Sequence, residues 1–568
     1  MVAPPSSASP ASASCDAPPR PDPAAGFTRL WRRELHRYPT GATRHAQLAL
    51  VVAATVVVYY QLYVQTAIAT SIMNHYGMSF GYFSMVAVVG NITGACAALI
   101  AGFADRWGRA NLVAYGLLAT GVLTLAALPK APNSTAFLLL TAVIAFVEGL
   151  VLVAAPALVR DLSPQVGRAS AMGLWTMGPV LGSLIVTGVT STTLDDIGWR
   201  NEIRYAGAAG IVVALVVAVF LRELAPALRN QLIVAFEERA LLEARAAGLD
   251  RAQALDTGGR RVLRTDVVVP AIGVGLYLLF YFTVVGSFVV FFSTVHGYSE
   301  QRANGLGNWF WSAQAVSLIL FGLLSDRLRV RKPFIVTGLI GSLILMIVFA
   351  SVSTRATTGF DTFALLGCCM GVFGGMAYAP WMAGFTENVE RHSPSATAAG
   401  LAVTGSATRL IVAATAIALP LVATSVTTLV DHGKDVAEAQ RQATPALAVI
   451  AAHPALFAEL DRHPSDAIPP ELGARAYAEV GPAGLALVTQ AKPALDIVKR
   501  HGADVAQASK DAPDQWRIWW WVCVAGQAIF LPTAFLIRGP WSPRRARLDA
   551  ETRAAALARE NDATPTTY

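Results

Sequence analysis

Apolar blocks of about twenty residues or more, separated by short polar breaks, fill most of the chain. They lie at roughly 45–72, 80–103, 111–129, 135–158, 169–190 and 205–221, and again at 267–293, 307–325, 334–353, 361–387, 396–429 and 517–538. Each comes close to or exceeds the ~20 residues that cross a ~30 Å hydrocarbon core as a helix. The pattern predicts an all-α polytopic membrane protein with twelve transmembrane helices, split six and six by a polar stretch at 222–266.

The polar segments have characters of their own. Residues 1–44 form a Pro/Ala/Ser-rich tail that ends in arginines, and its first 25 or so residues lack the apolar content to fold. No short apolar core followed by a cleavage site is present, so no signal peptide is predicted. Residues 222–266 repeat their apolar positions near helical spacing and read as a helical linker along the membrane surface. The segment 430–516 contains Ala/Leu-rich stretches, Pro445–Leu460 and Pro482–Val498, and reads as a helical insert on the outer side. Residues 539–568 form a C-terminal tail.

Lys and Arg set the orientation. With the N-terminus inside, the inner segments carry 29 basic residues and the five short outer loops carry 5. That asymmetry predicts both termini in the cytoplasm and a multi-pass protein of the cell membrane; the long insert is exempt, because long translocated segments escape the rule.

Composition sharpens this picture. Hydrophobic residues make up 54% and charged residues 14%, against roughly 25% charged in a soluble domain, which excludes an ordinary soluble protein. The net charge of +7 resides in loops and is explained by the bilayer, so no nucleic-acid partner is predicted. The cysteines, Cys15, Cys96, Cys368, Cys369 and Cys523, have no paired spacing and define neither a metal site nor a disulfide framework. The outer histidines His432, His453, His463 and His501 also lack metal-ligand spacing, and no nucleophile–base–acid set or phosphate-cradling Gly-Lys-Ser/Thr loop is visible. No cofactor and no direct ATP drive are expected, so an ion gradient is the expected energy source.

One string recurs. Gly102-Phe-Ala-Asp105-Arg106-Trp-Gly108-Arg109 joins the second and third spans, and Gly322-Leu-Leu-Ser-Asp326-Arg327-Leu-Arg329-Val-Arg331-Lys332 joins the eighth and ninth. A repeat in corresponding loops of two six-helix halves is expected of a transporter built from two related bundles. In these loops the chain resembles the major facilitator superfamily, whose signature is a Gly, then Asp-Arg four residues on, then Gly-Arg and a further basic residue. The resemblance covers about residues 45–429 and 517–538. The first copy departs at Ala101 and Ala110, and the second has Arg329 in place of the inner Gly.

The resemblance implies a fold of two six-helix bundles, 45–221 and 267–538, working by alternating access. It also implies that Asp105, Arg106, Gly108, Arg109, Asp326, Arg327 and Arg331 form a conformational gate that locks the bundles on the cytoplasmic side. In the fifth span, Gly178, Pro179 and Gly182 are similar to the family's Gly-Pro motif of proton-driven exporters. Pro179 frees a helix hydrogen bond and permits a bend, and Gly182 permits close helix contact.

Charges inside spans are costly unless paired or wet. Glu148 and Arg409 lie roughly 15 and 20 Å from the cytoplasmic ends of the fourth and eleventh spans, at 1.5 Å per residue. They could face one another across a central cavity. Glu148 reads as a proton carrier, a substrate ligand or a structural partner, and Arg409, which keeps its charge, as an anion ligand or an internal pair. Ala145 stands where many family members carry a basic residue. Gln61, Gln65, Asn91, Tyr277, Tyr281, Tyr378 and Trp381 are substrate-binding candidates, because paired polar and aromatic faces on cavity-lining spans suit a small organic solute. Glu387 reads as a solvated helix cap.

The resulting expectation is a proton-coupled secondary transporter of a small, anionic organic solute. Its alternatives are a drug or metabolite proton antiporter and a transporter-like receptor whose insert binds an outer partner.

Overall fold

The computed structural model describes residues 33–99, 107–163, 168–229, 231, 264–390, 397–463 and 468–563. Asp105 and Arg106, the N-terminal tail before residue 33 and most of the predicted linker helix lie outside the described residues. Among the described residues, twelve helices are long and apolar enough to cross a membrane.

The first bundle comprises α1 (Gly41–Ala67), the short α2 (Ala69–Tyr76), α3 (Phe80–Leu99), α4 (Arg109–Val122), α5 (Ser134–Leu162), the pair α6 (Arg168–Thr176) and α7 (Gly178–Ile197), and α8 (Trp199–Phe220). The second begins with the pair α9 (Thr265–Tyr277) and α10 (Leu279–Val295). It continues with α11 (Glu300–Leu328), α12 (Lys332–Val352), α13 (Phe360–Glu390) and α14 (Thr397–Val422). These helices are apolar nearly all round because lipid offers no hydrogen bonds, so the backbone must satisfy itself within each helix. The fifth span breaks at Met177, just ahead of Gly178 and Pro179. Gly178 and Gly182 then lie flat against Thr55, Val56 and Tyr59 of α1, where a side chain would collide.

The insert grows out of the membrane helices. α15 (Ser425–Ala452) follows α14 after two residues, bends by 104° at His453 into α16 (Pro454–Leu460), and leads to α17 (Pro470–Gln490). α18 (Lys492–Thr533) then runs through the insert and on into the twelfth span. Its 42 residues measure about 63 Å, twice a hydrocarbon core, so its charged first half stands clear of the bilayer. α19 (Pro543–Ala563) follows the twelfth span.

A small fastening holds the base of the first bundle. Strand β1 (Glu34–Leu35) pairs in parallel with β2 (Glu223–Leu224), just after α8. Beside it, buried Arg33 donates to Val217 O and Ala218 O at the end of α8 and to Ala110 O and Asn111 Oδ1 at the start of α4. A cation at a helix C-terminus satisfies carbonyls that have no partner within the helix.

Candidate functional site

Six side chains from five spans gather at mid-depth, three from each bundle. Tyr59 of α1 lies within electrostatic reach of Glu148 on α5, Arg409 on α14 and Tyr378 on α13. Tyr63, one turn on and 5.4 Å from Tyr59 between ring centroids, reaches Glu148 and Tyr281 of α10. Tyr281 packs edge-on against Trp311 at 5.2 Å. The two charges do not form a pair. Glu148 is 2% exposed and neither carboxylate oxygen has a hydrogen-bond partner, whereas Arg409 is exposed and makes no hydrogen bond or ion pair with any described residue. A guanidinium that is exposed at this depth, yet close to Tyr59 of the opposite bundle, marks a cleft between the bundles.

Several sequence candidates lie elsewhere. Gln61 is buried inside the first bundle, where it donates to Ala206 O and accepts from Thr120. Gln65 accepts from Thr141 of α5. Tyr277 donates to Ser342 and packs on Phe530, inside the second bundle. Trp381, 1% exposed, stacks on Phe385 at 5.1 Å and meets Phe530. Asn91 is exposed and bonds to Ala87 O of its own helix. Gln61, Tyr277 and Trp381 are thus packing residues rather than parts of the cleft. Tyr59 and Tyr63 escaped the sequence reading because they sit about 200° round α1 from Gln61, on a face whose apolar rings resemble lipid contacts.

At the face that bears the insert the bundles are closed. Glu300, buried at the start of α11, accepts from Thr70 Oγ1 at 2.6 Å, from Ser71 N at 2.9 Å and from Ser71 Oγ. Asn304 donates to Ala67 O, Asn308 to Ser191, Asp195 N to Gln301, and Phe80 N to Thr427 of α15. These hydrogen bonds between the two bundles all lie at this face. Beneath it a cavity of about 30 Å³ is lined by Tyr63, Ser183, Thr187, Asn304 and Trp311, and Ser183 Oγ there is buried without a partner. Glu300 carried no signal in the sequence, since an acid in the first turn of a helix is commonplace.

At the opposite face, which carries Arg33 and the start of α19, the predicted gate residues Arg109, Asp326 and Arg331 pair within their own bundles. Arg109 pairs with Asp161 of α5 at 2.5 Å. Glu223 caps α4 by accepting from Arg109 N at 2.8 Å; burial pushes its carboxyl above the ordinary range, while the backbone donors Arg109 and Ala110 partly offset this. Arg331 spans Asp326 at 2.5 Å and Glu387 at 3.0 Å and also donates to Ser325. Burial pulls its pKa down, but Glu387 and Asp326 outweigh burial and hold it above the ordinary value. Glu387, expected as a solvated helix cap, is an ion-pair partner of Arg331. Arg327 is exposed and has no acidic partner among the described residues. Gly108 adopts φ 86°, and Arg329, three residues after the second Asp as Gly108 is after the first, adopts φ 55°.

Two helical bundles that enclose a cleft, joined by hydrogen bonds at one face and by none between described side chains at the other, define a secondary-transporter fold. The family model described as the Major Facilitator Superfamily matches residues 51–414. The chain belongs to the major facilitator superfamily. No curated protein matches it in sequence. Among solved structures it is similar to a bacterial homologue of the human lysosomal transporter Spinster, inward-facing and occupied, with TM-score 0.54, 16% identity and coverage of 88% of this chain and 98% of that one. The unoccupied inward-facing form of that homologue gives TM-score 0.54 and 17% identity at the same coverage. A D-xylose–proton symporter matches with TM-score 0.49 and 16% identity over 65% of this chain and 89% of that one.

Proposed function

We propose that the protein carries a small organic anion across the cell membrane by alternating access, coupled to protons at Glu148, with both termini cytoplasmic. The observation that carries this reading is the separation of the two central charges: among the described residues, Arg409 is exposed and uncompensated, while Glu148 is sealed away without a partner. An uncompensated guanidinium in a membrane cleft attracts a carboxylate or phosphate. A buried carboxylate with no hydrogen-bond donor is stable when it holds a proton, and it must gain donors or water to release it. Tyr59, Tyr63, Tyr281 and Tyr378 supply aromatic walls and hydroxyls from both bundles. In this state the cleft faces the cytoplasm, because the Glu300 contacts seal the other face. The bond from Phe80 N to Thr427 makes the base of the insert part of that seal, which favours a role in transport over a separate receptor domain.

The test uses purified protein in proteoliposomes with a panel of organic anions, neutral metabolites and lipophilic cations. An anion that drives counterflow in the native protein and fails with Arg409→Gln supports the reading. Glu148→Gln is expected to retain counterflow and lose accumulation driven by a pH gradient. Equal transport of cations or neutral solutes by native and Arg409→Gln proteins would overturn the anion assignment.

A further inference from the structure

The charges at the base of the second bundle are unbalanced in a way that the transport cleft does not use. Arg327, Arg329, Arg538, Arg544, Arg545 and Arg547 are all exposed, and none has an acidic partner among the described residues. The acids nearest to them in the turn between α11 and α12, Asp326 and at its side Glu387, are both engaged by Arg331.

The fold brings this set together at the membrane boundary. Lys332, the first residue of α12, places its ammonium 5.5 Å over the ring of Trp541. That contact docks the segment after the twelfth span, two residues before α19 begins, on the first residue of α12, three residues after Arg329. Trp541 is 49% exposed and Phe535, 6.1 Å from it, is 54% exposed. Half-exposed aromatic rings at the end of a span sit at headgroup depth, where indole is favoured at the interface. Basic side chains beside them meet lipid phosphates, each worth about 1 kcal/mol near an anionic surface.

We propose that this face of the second bundle is a binding site for an anionic phospholipid, with the headgroup held by Arg544, Arg545 and Arg547 of α19 together with Arg327 and Arg329, and the acyl chains lying along Phe535 and Trp541. The site shares its loop with Arg331, so a bound headgroup braces the turn in which Arg331 holds Asp326 and Glu387. The commitment is to a lipid rather than a soluble phosphate, because the aromatic pair offers the chains an apolar bed that a free anion would not use.

The test is a melting experiment on the full-length protein in a neutral detergent, titrated separately with phosphatidylglycerol, phosphatidylcholine and glycerol phosphate. Phosphatidylglycerol is expected to raise the melting temperature at concentrations at least tenfold below those at which phosphatidylcholine acts. The triple variant Arg544→Gln, Arg545→Gln, Arg547→Gln is expected to abolish that preference while melting normally without lipid. Brominated phosphatidylglycerol supplies a second readout, since quenching of tryptophan emission should fall in Trp541→Phe. Equal stabilisation by both lipids, an unchanged preference in the triple variant, or equal stabilisation by glycerol phosphate would each overturn the proposal. None of these outcomes depends on which solute is transported or on Arg409.

Discussion

The two bundles make the same turn at the same face with different residues. In the first, Gly108 takes a positive φ, the following Arg109 pairs with Asp161 on the neighbouring span, and Glu223 closes the helix start from beyond α8. In the second, Arg329 takes the positive φ, and Arg331 gathers an acid from its own turn and one from α13. The requirement for a reversed backbone belongs to the topology, so it persists where the glycine does not. The ion pairing persists as a principle too, although the acids come from different elements.

Their interiors differ in the same spirit. The half of the first bundle farther from the insert packs small aliphatic residues such as Ala54, Val58, Ala114, Ala154 and Ala155. The insert-side half of the second packs aromatic rings, with Phe280, Phe291, Phe349 and Trp520 meeting at 5.0–6.3 Å. Closely packed rings suit a bundle that must anchor the long helix α18 as it leaves the membrane.

The comparison can be broken most severely at Arg109. Replacing it with Ala leaves Asp161, whose side chain is 8% exposed, with only the longer 3.6 Å pair to Arg160, and should cost about 3 kcal/mol, read as a lower melting temperature. Arg331→Ala should cost less, because Asp326 and Glu387 are 51% and 43% exposed and water can take over. Equal losses would show that the two networks are equivalent after all.

Next in size is Glu300→Ala, which leaves the donors of Thr70 and Ser71 without their acceptor. It should shift the balance toward opening at the insert face by about 2 kcal/mol, some thirtyfold. Faster alkylation of a cysteine placed at Ser183 would register this, and an unchanged rate would show that the neighbouring bonds suffice.

Tyr277→Phe should cost about 1 kcal/mol of stability through its bond to Ser342 and leave substrate affinity unchanged. Tyr281→Phe or Tyr59→Phe should do the reverse. A loss of affinity in Tyr277→Phe would return that residue to the cleft. The smallest effect tests the shared turn: Arg329→Gly should stabilise the fold by about 1 kcal/mol, whereas Gly108→Ala should destabilise it, since its Cβ would run into the Glu223 carboxylate.

Much of the architecture was legible in order along the chain. The spans follow from apolar length, and the repeat of Asp105-Arg106 at Asp326-Arg327 exposes two related halves even though the copies are imperfect. The depth of Glu148 and Arg409 follows from counting residues. Rotation about each helix was harder to read. Gln61 and Tyr277 looked like cavity residues because they are polar inside a span, yet each satisfies a neighbouring helix of its own bundle. Tyr59 and Tyr63 looked like ordinary rings, yet at mid-depth they carry α1 across to the opposite bundle.

The sequence by itself determined that this chain lives in a bilayer, crosses it twelve times and is built from two related halves, because the cost of burying polar backbone and charge acts locally on every segment. Only the tertiary structure decided which face of each span meets the cleft, that Glu148 and Arg409 stay apart, and that Glu300 seals the insert face. In a helix that is apolar on all sides, no amphipathic stripe marks the inner surface. The choice is then made by small residues and hydrogen bonds contributed by neighbouring helices far away in the sequence.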